Sequence, residues 1–383
     1  MRVLHVIPSV AAADGGPARA VVQMVLALQA QGVTADIATT ADGRDEKAPG
    51  VALDHEGCRT FFFRRQTSFY KISLPLLRWL GNEVSGYDVV HTHALFSFAP
   101  WAAGRASRKA RVLYIVRPLG VLNRYGMEQR RPWLKTLSFA CIERPLLRHA
   151  AAIHYTSPVE AAEAGRLGLH TRPAVIPPGM DFEEPLPRSK DALLALHPAA
   201  PGRPIVLFLS RIDEKKGLDL LLDAFKEMQS MQPRALLVIA GKGDDALEQR
   251  LRSQASALGL QKDVLWTGFM EGRAKQATLA AADVFVLPSQ SENFGIALLE
   301  AMASGCACVA TPGVALAHDA GDAVQLSAPD PHSLATAMGG LLGDPAEAHA
   351  LGTAAQTCAF ARFSSRSTAR ELIALYTSLL NPP

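Results

Sequence analysis

Glu292 and Glu300 stand eight residues apart in the stretch SQSENFGIALLEAMASG, with an Asn293-Phe294-Gly295 turn between them that runs into an alanine-rich helical segment. A glycine-bearing turn at the start of a helix offers unpaired backbone N–H groups and the positive end of the helix dipole, and both attract phosphate. Carboxylates repel phosphate, but they accept hydrogen bonds from the vicinal hydroxyls of a sugar. With Glu292 just before the helix and Glu300 about a turn and a half inside it, the two lie roughly 10 Å apart along the chain. A diphosphate with a sugar at each end has about that span. Spacing alone also fits a solvated Glu292 and a buried or paired Glu300.

Other residues of the same chemical kind recur. Gly15-Gly16 precede a second helical pattern, and the run SRIDEKKG places Arg211 and Lys216, or Lys215, on a loop between a strand-like and a helix-like segment. Either glycine turn taken alone reads equally well as a tight helix cap, and the charge run alone as solvated surface. Together they suit the neutralisation of a diphosphate. His91 and His93, Arg117, and Gly241-Lys242-Gly243 also follow apolar runs directly. In doubly wound α/β sheets, ligands bind at the carboxyl ends of the strands.

The elements that must position these residues are legible as alternating short apolar runs and helical patterns. RVLHVIP, ADIATT, YDVVHTH, RVLYIVRP, AAIHYTS and AVIPPG read as strands, with helices over Pro17 to Gln31 and Leu134 to His149. That alternation predicts a parallel sheet with helices on both faces. From IPPGMDFEEPLPRSK to HPAAPGRP, proline and charge replace periodicity, as in a linker. After Arg203 the rhythm restarts, with helices expected over Gly217 to Gln229, Asp244 to Leu258, Gly272 to Ala281 and Phe294 to Ser304. The expected architecture is two Rossmann-like doubly wound domains facing across a cleft. Residues 1–185 form an acceptor-side domain, 186–362 a donor-side domain, and 363–383 a helix that packs back toward the first.

Bulk properties agree. A chain of 383 residues, 49% hydrophobic and 20% charged, has material for two ordinary cores. A net charge of +3 is too small for a dedicated nucleic-acid binder. Five scattered cysteines do not suggest a disulfide framework, and Cys306 and Cys308 read as buried thiols in a strand. The amino terminus reads as a first strand, and no apolar run reaches the ~20 residues of a membrane span. The expected location is the cytoplasm, with possible contact to the inner face of the plasma membrane.

SQSENFGIALLEAMASG, together with LSRIDEKKGLDLLLDAF, LVIAGKGDD, LWTGFM and ADVFVLPS in that order, resembles the C-terminal half of the retaining nucleotide-sugar glycosyltransferases of family 4, which have the GT-B fold. RVLHVIPSVAAADGGPARAVVQMVLAL and YDVVHTHALFS resemble the N-terminal half more loosely. The resemblance implies that Glu292 contacts the transferred sugar and Glu300 the nucleotide ribose. It also implies that Asn293, Phe294 and Gly295 bind sugar and phosphate, and that Arg211, Lys216, Gly15 and Gly16 meet the phosphates. The expected catalytic set is Glu292, Arg211, Lys216, His93 and Arg117. Donor contacts are expected from Gly15, Gly16, Ser210, Gly241, Gly243, Phe269, Asn293, Phe294, Gly295, Ile296 and Glu300. Many family members carry His-Gly where this chain has Arg117-Pro118-Leu119-Gly120, so Arg117 faces either the acceptor or the phosphates.

The expected reaction moves a hexose from a UDP- or GDP-linked sugar to a saccharide acceptor, lipid-linked, in surface polysaccharide or glycoconjugate synthesis. No D-x-D motif follows a strand, so no metal or other cofactor is expected, and Arg211, Lys216 and helix dipoles are expected to stabilise the leaving diphosphate. The basic and aromatic stretches Arg59 to Leu80 and Asn123 to His149 fit either a face for an anionic membrane or ordinary amphipathic helices. Rival readings are a nucleotide-sugar epimerase or phosphorylase on the same fold, and a binding protein that has lost catalysis. An NAD(P)-dependent oxidoreductase is a further rival, using Gly241 and Gly243 with Asp263 about twenty residues on.

Overall fold

The computed structural model describes residues 1–11, 16–41, 50–122, 127, 132–182, 184–190, 193 and 202–382. The chain divides into two compact units, Met1–Asp181 with Phe363–Pro383, and Phe182–Arg362.

Unit 1 contains strands β1 (Arg2–Ile7), β2 (Thr34–Ala41), β3 (Ala52–His55), β4 (Cys58–Arg64), β5 (Val89–His93), β6 (Leu113–Arg117), β7 (Ala152–Tyr155) and β8 (Pro173–Val175). Their order in the sheet is β3-β4-β2-β1-β5-β6-β7-β8, parallel except for the antiparallel β3–β4 pair at one edge. Helices α1 (Gly16–Gln29), α2 (Leu74–Glu83), α3 (Phe98–Ala110), α4 (Pro132–Ser138), α5 (Arg144–Arg148) and α6 (Pro158–Gly165) connect them. Alternation along each strand sends Val3, Ile7, Val89 and Ile115 toward α1 and the C-terminal helix, and Leu4, Val6, Val90 and Val116 toward α2 and α3. Both faces are therefore buried, which is why the strands read as continuous apolar runs.

One expectation needs correction and another refinement. The aromatic stretch starting at Arg59 is not one surface face. Its first part is β4, where Phe61, Phe62 and Phe63 are buried in the core between exposed Arg59 and Arg64. The helix expected over Leu134 to His149 is present, running from α4 into α5 through a π-type turn, Phe139–Glu143. The apolar spacing runs on through the turn, so periodicity did not show it.

Unit 2 is a six-stranded all-parallel sheet ordered β11-β10-β9-β12-β13-β14, from β9 (Ile205–Leu209), β10 (Leu236–Ala240), β11 (Val264–Gly268), β12 (Val284–Leu287), β13 (Ala307–Ala310) and β14 (Gln325–Leu326). Helices α7 (Leu218–Met228), α8 (Asp245–Ala257), α9 (Gly272–Ala281), α10 (Ile296–Ala303), α11 (Ala315–Ala320), α12 (Pro331–Gly343) and α13 (Pro345–Arg362) cover it, and α14 (Ser365–Leu380) belongs to unit 1. On α7, Leu218, Leu221, Leu222, Phe225 and Met228 form a buried i, i+3, i+4 stripe. At about 1.5–3 kcal/mol for each large apolar side chain removed from water, that stripe holds the helix, and with it the loop before it, against the sheet. Asp244 caps α8 by accepting from Ala246 and Leu247 N–H, and Ser364 caps α14 through Ser367 N–H. Cys58, Cys306 and Cys308 are buried free thiols.

Candidate active site

Three loops meet at the carboxyl ends of β9, β10 and β12 in unit 2. The first follows β9. Asp213 accepts from Lys215 N–H and caps a single 3-10 turn, Glu214–Lys216, which ends at Gly217 with φ +67°. A Cβ at Gly217 would lie 2.2 Å from the Pro288 carbonyl oxygen, so only glycine lets this turn press against the end of β12. Gln290 N–H donates to the Lys215 carbonyl at 2.8 Å and completes the clamp. The clamp delivers Lys216, 7% exposed, to the Glu292 carboxylate, with which it forms an ion pair. Burial and the nearby Lys215 and Arg211 charges lower the Lys216 ammonium to about 8, with Asp213 opposing. Arg211 stays exposed on the same loop.

The second loop carries the glutamates. Glu292 N–H donates to the Gly313 carbonyl, and Leu316 N–H to the Phe294 carbonyl, so the turn is stitched to the loop after β13. Gly295, at φ +108°, is the residue before α10 and caps it without a side-chain hydrogen bond; a Cβ there would meet Val314 Cγ1 at 2.8 Å. Glu300 is the fifth residue of α10, and its carboxylate is bonded by Lys275 Nζ of α9 at 2.8 Å. Phe294 is buried, whereas Ile296 and Phe269 are exposed, Phe269 just past the end of β11. Sequence reasoning missed Lys275: a single lysine 25 residues before its partner has no local spacing to betray it.

The third loop is Gly241-Lys242-Gly243. A Cβ on Gly241 would lie 1.8 Å from the Ser210 carbonyl oxygen and one on Gly243 2.2 Å from that of Ile212, so both glycines are needed for the β9 and β10 loops to touch. Asp263 disposes of the dinucleotide fingerprint. It precedes β11, at the opposite edge of the sheet, where Arg203 and Gln229 hold it. A cavity of about 340 Å³ opens on that same opposite edge, beside Arg188, Lys190, Asp283 and Gly305, and contains none of the expected site residues.

Unit 1 treats its expected residues differently. Gly15 lies outside the described residues, and Gly16 begins α1. His93 is fully buried and Arg117 is 1% exposed; neither presents its side chain to solvent. The reason is register: His5 pairs with His91 and His93 with Arg117, and all four side chains share the face covered by α1 and α14. Ala94, Phe96 and Leu119, immediately after β5 and β6, have φ of 72°, 53° and 61°. Such conformations cost non-glycine residues of order 1–3 kcal/mol and gather at functional strand ends.

Beneath those ends His5, His91 and His93 bring ring nitrogens within 4.8 Å of one another. Burial holds His5 and His154 down at about 3 and His91 and His93 well below the usual histidine value, so all four are neutral. The hydrogen bonds then fix tautomers. His154 Nε2–H donates to the Ile176 carbonyl at 2.8 Å, leaving Nδ1 to accept from His91 Nε2–H at 3.2 Å. His91 Nδ1 in turn accepts from the Tyr376 hydroxyl at 2.8 Å. His91 has no lone pair left for a metal, so the trio is not a ready cation site.

Comparison with known proteins agrees with this geometry. A family model described as glycosyl transferases group 1 matches residues 190–357, and one described as a glycosyl transferase 4-like domain matches 15–179. The chain is 27% identical to D-inositol 3-phosphate glycosyltransferase of Nocardia farcinica, over 96% of this chain and 85% of that one. It is 32% identical to the GDP-mannose-dependent alpha-(1-6)-phosphatidylinositol monomannoside mannosyltransferase of Mycolicibacterium smegmatis, over 52% of this chain and 55% of that one. Sucrose-phosphate synthase from Thermosynechococcus elongatus superposes with a TM-score of 0.74 at 26% identity, covering 99% of both chains. The two matched halves, the paired parallel sheets and the glycine-built loops of unit 2 establish that the chain belongs to the group 1 glycosyl transferases and is a nucleotide-sugar glycosyltransferase of the GT-B fold.

Proposed function

We propose that the chain is a retaining, metal-independent hexosyltransferase that takes its sugar from a UDP- or GDP-linked donor. Its acceptor is a lipid-linked saccharide in bacterial surface polysaccharide or glycoconjugate synthesis. The observation that carries this reading is the pair of lysine-capped carboxylates on either side of the 293–295 turn, Glu292 with Lys216 and Glu300 with Lys275. Without donor, each carboxylate is neutralised by its own lysine. A bound diphosphate carries more negative charge than Glu292, so it draws Lys216 and Arg211 to itself and frees the Glu292 oxygens to accept from sugar hydroxyls. In the transfer step the acceptor oxygen bonds to the anomeric carbon on the face from which the diphosphate departs. The breaking C–O bond leaves its electrons on the phosphate, and a phosphate oxygen takes the acceptor's proton. Lys216 and Arg211 meet the charge that develops there.

Transfer assayed with UDP-, GDP- and ADP-sugars is expected to keep its full rate in EDTA and to give a product of the donor's anomeric configuration by NMR. Loss of activity restored by magnesium or manganese refutes metal independence, and an inverted product refutes retention.

Support for a lipid-borne acceptor comes from the mannosyltransferase relative, whose name includes phosphatidylinositol monomannoside. Phe69, Leu74, Trp133 and Leu137 are also exposed on two segments of unit 1 that Tyr70 and Ser138 tie together by both bonding Glu143. Among the described residues no helix is long and apolar enough to cross a membrane. Trp133→Ala with Leu137→Ala is expected to lower co-sedimentation with phosphatidylglycerol vesicles several-fold relative to wild type. Equal pelleting by both proteins, or by vesicles with and without anionic lipid, removes the membrane from the reading.

A further inference from the structure

Under the first turn of α14, unit 1 buries a cation two of whose three guanidinium nitrogens have no hydrogen-bond partner among the described residues. Arg117 is 1% exposed, and its Nε and Nη1 have no hydrogen-bond partner. Glu160, whose charge it feels, spends one carboxylate oxygen on Gly120 N–H and the other on the Thr156 N–H and hydroxyl, and no ion pair joins it to Arg117 among the described residues. The four imidazoles beside Arg117 are neutral and supply no counter-charge. A buried guanidinium left in that state costs several kcal/mol.

Arg117 lines a cavity of about 10 Å³, room for one occupant the size of a water or a small ion, together with Met24, Gly179, Ser365 and Thr368. Ser365 Oγ is buried there and is also unpartnered. Thr368 has already committed its hydroxyl hydrogen to the Pro177 carbonyl. Gly179 closes the floor: a Cβ there would lie 2.7 Å from both Ser365 Cα and Thr368 Oγ1. Ser365 begins a 16-residue helix, so the positive end of its dipole faces the same space.

We propose that this cavity is a binding site for one small monovalent anion of halide size, held by Arg117 Nε–H and Nη1–H and by the Ser365 hydroxyl, with the positive end of the α14 dipole beside it. Two guanidinium donors and a hydroxyl free to donate outnumber the one side-chain acceptor left in the lining, Thr368 Oγ1. Water must donate two hydrogens of its own, so such a lining suits it less than an ion that only accepts. Phosphate and carboxylates are too large for the space. The ion ties the first turn of α14 to the end of β6, so it acts on the folding of unit 1 and not on the donor site.

The test uses the full chain. Crystals grown or soaked in bromide are expected to show an anomalous peak within hydrogen-bonding distance of Arg117 and Ser365. In thermal unfolding at fixed ionic strength, replacing gluconate by chloride or bromide is expected to raise Tm by about 3–5 °C. Ser365→Ala, which keeps the fold, is expected to need about tenfold more halide for the same shift, and Arg117→Met to lose the dependence. No bromide peak, or a halide shift that Arg117→Met retains in full, overturns the site and leaves an ordered water or a general salt effect in its place.

Discussion

Lys216→Ala is expected to lower kcat by about 10²–10³-fold, the loss that follows removal of one preorganised group facing a developing anion. Two consequences of one lost ammonium add here. The leaving diphosphate loses its most deeply placed cation, and Glu292 loses the partner that neutralises it. The Glu292 side chain keeps about a fifth of its exposure, so water solvates part of the stranded carboxylate. The expected stability loss is therefore about 1–3 kcal/mol, not the larger cost of a fully buried broken pair. Thermal unfolding and steady-state release of nucleoside diphosphate separate the two effects, and full turnover in Lys216→Ala refutes the role assigned to it. The lowered ammonium adds a pH signature. The charged form acts, so kcat/KM, which reports the free enzyme, is expected to fall as pH rises through about 8. In the donor complex the diphosphate favours the charged form, so the corresponding limb of kcat moves to higher pH. Lys216→Arg removes the limb near 8 from kcat/KM and its higher-pH counterpart from kcat, because guanidinium stays charged; a limb that persists in this variant belongs to another group.

The parts of this molecule that sequence reveals are those where local chemistry is one-sided. Parallel strands buried on both faces have no polar alternation, so β1, β2 and β5–β7 stand out as apolar runs, and glycine with charge after a strand marks the 211–217, 241–243 and 293–295 loops. Strand β4 escaped because its three phenylalanines lie between arginines and imitate an amphipathic surface. The unit 1 polar layer was half legible. His91 and His93 could be placed at a strand end, but the structure shows them inward with His5, His154 and Tyr376. Those three come from β1, β7 and α14, as far as 285 residues from His91. A period-2 reading of LHVI, VVHTH and AIHY, each with histidine in an apolar strand, puts a hidden polar row within reach of sequence. Nothing local predicts that Arg117 shares it: an arginine ending a strand is more often solvated, and its cover comes from α1 and from α14, both distant in sequence. Lys275 escaped for the same reason, since its partner is a tertiary neighbour.

Glu292→Gln and Glu300→Gln are expected to separate transfer from nucleotide binding. Each carboxylate sits against its own lysine, on different elements, so removal of one charge leaves the other ion pair in place. Glutamine keeps the shape and one acceptor oxygen but presents an N–H₂ group where sugar hydroxyls must donate. With Glu300 holding the ribose, as the family resemblance implies, the lost charge-assisted bond would act on ground state and transition state alike. KM for the donor and Kd for the nucleoside diphosphate are then expected to rise about tenfold, at roughly 1.5 kcal/mol, with kcat little changed. Lys275→Met is expected to follow the same pattern more weakly, because it frees the Glu300 carboxylate to move without removing it. With Glu292 against the transferred hexose, as proposed, the positive charge that builds on the sugar as the diphosphate leaves would interact with its carboxylate most strongly at that moment. Glu292→Gln is therefore expected to lower kcat by about 10²-fold, while Kd for the free nucleoside diphosphate stays near wild type or tightens. Tightening is the more informative sign, because neutralising Glu292 releases Lys216 for the phosphates without breaking an ion pair first. Isothermal titration with nucleoside diphosphate alone, set beside steady-state transfer, measures both quantities. Indistinguishable effects in the two variants mean that the carboxylates do not divide donor between them.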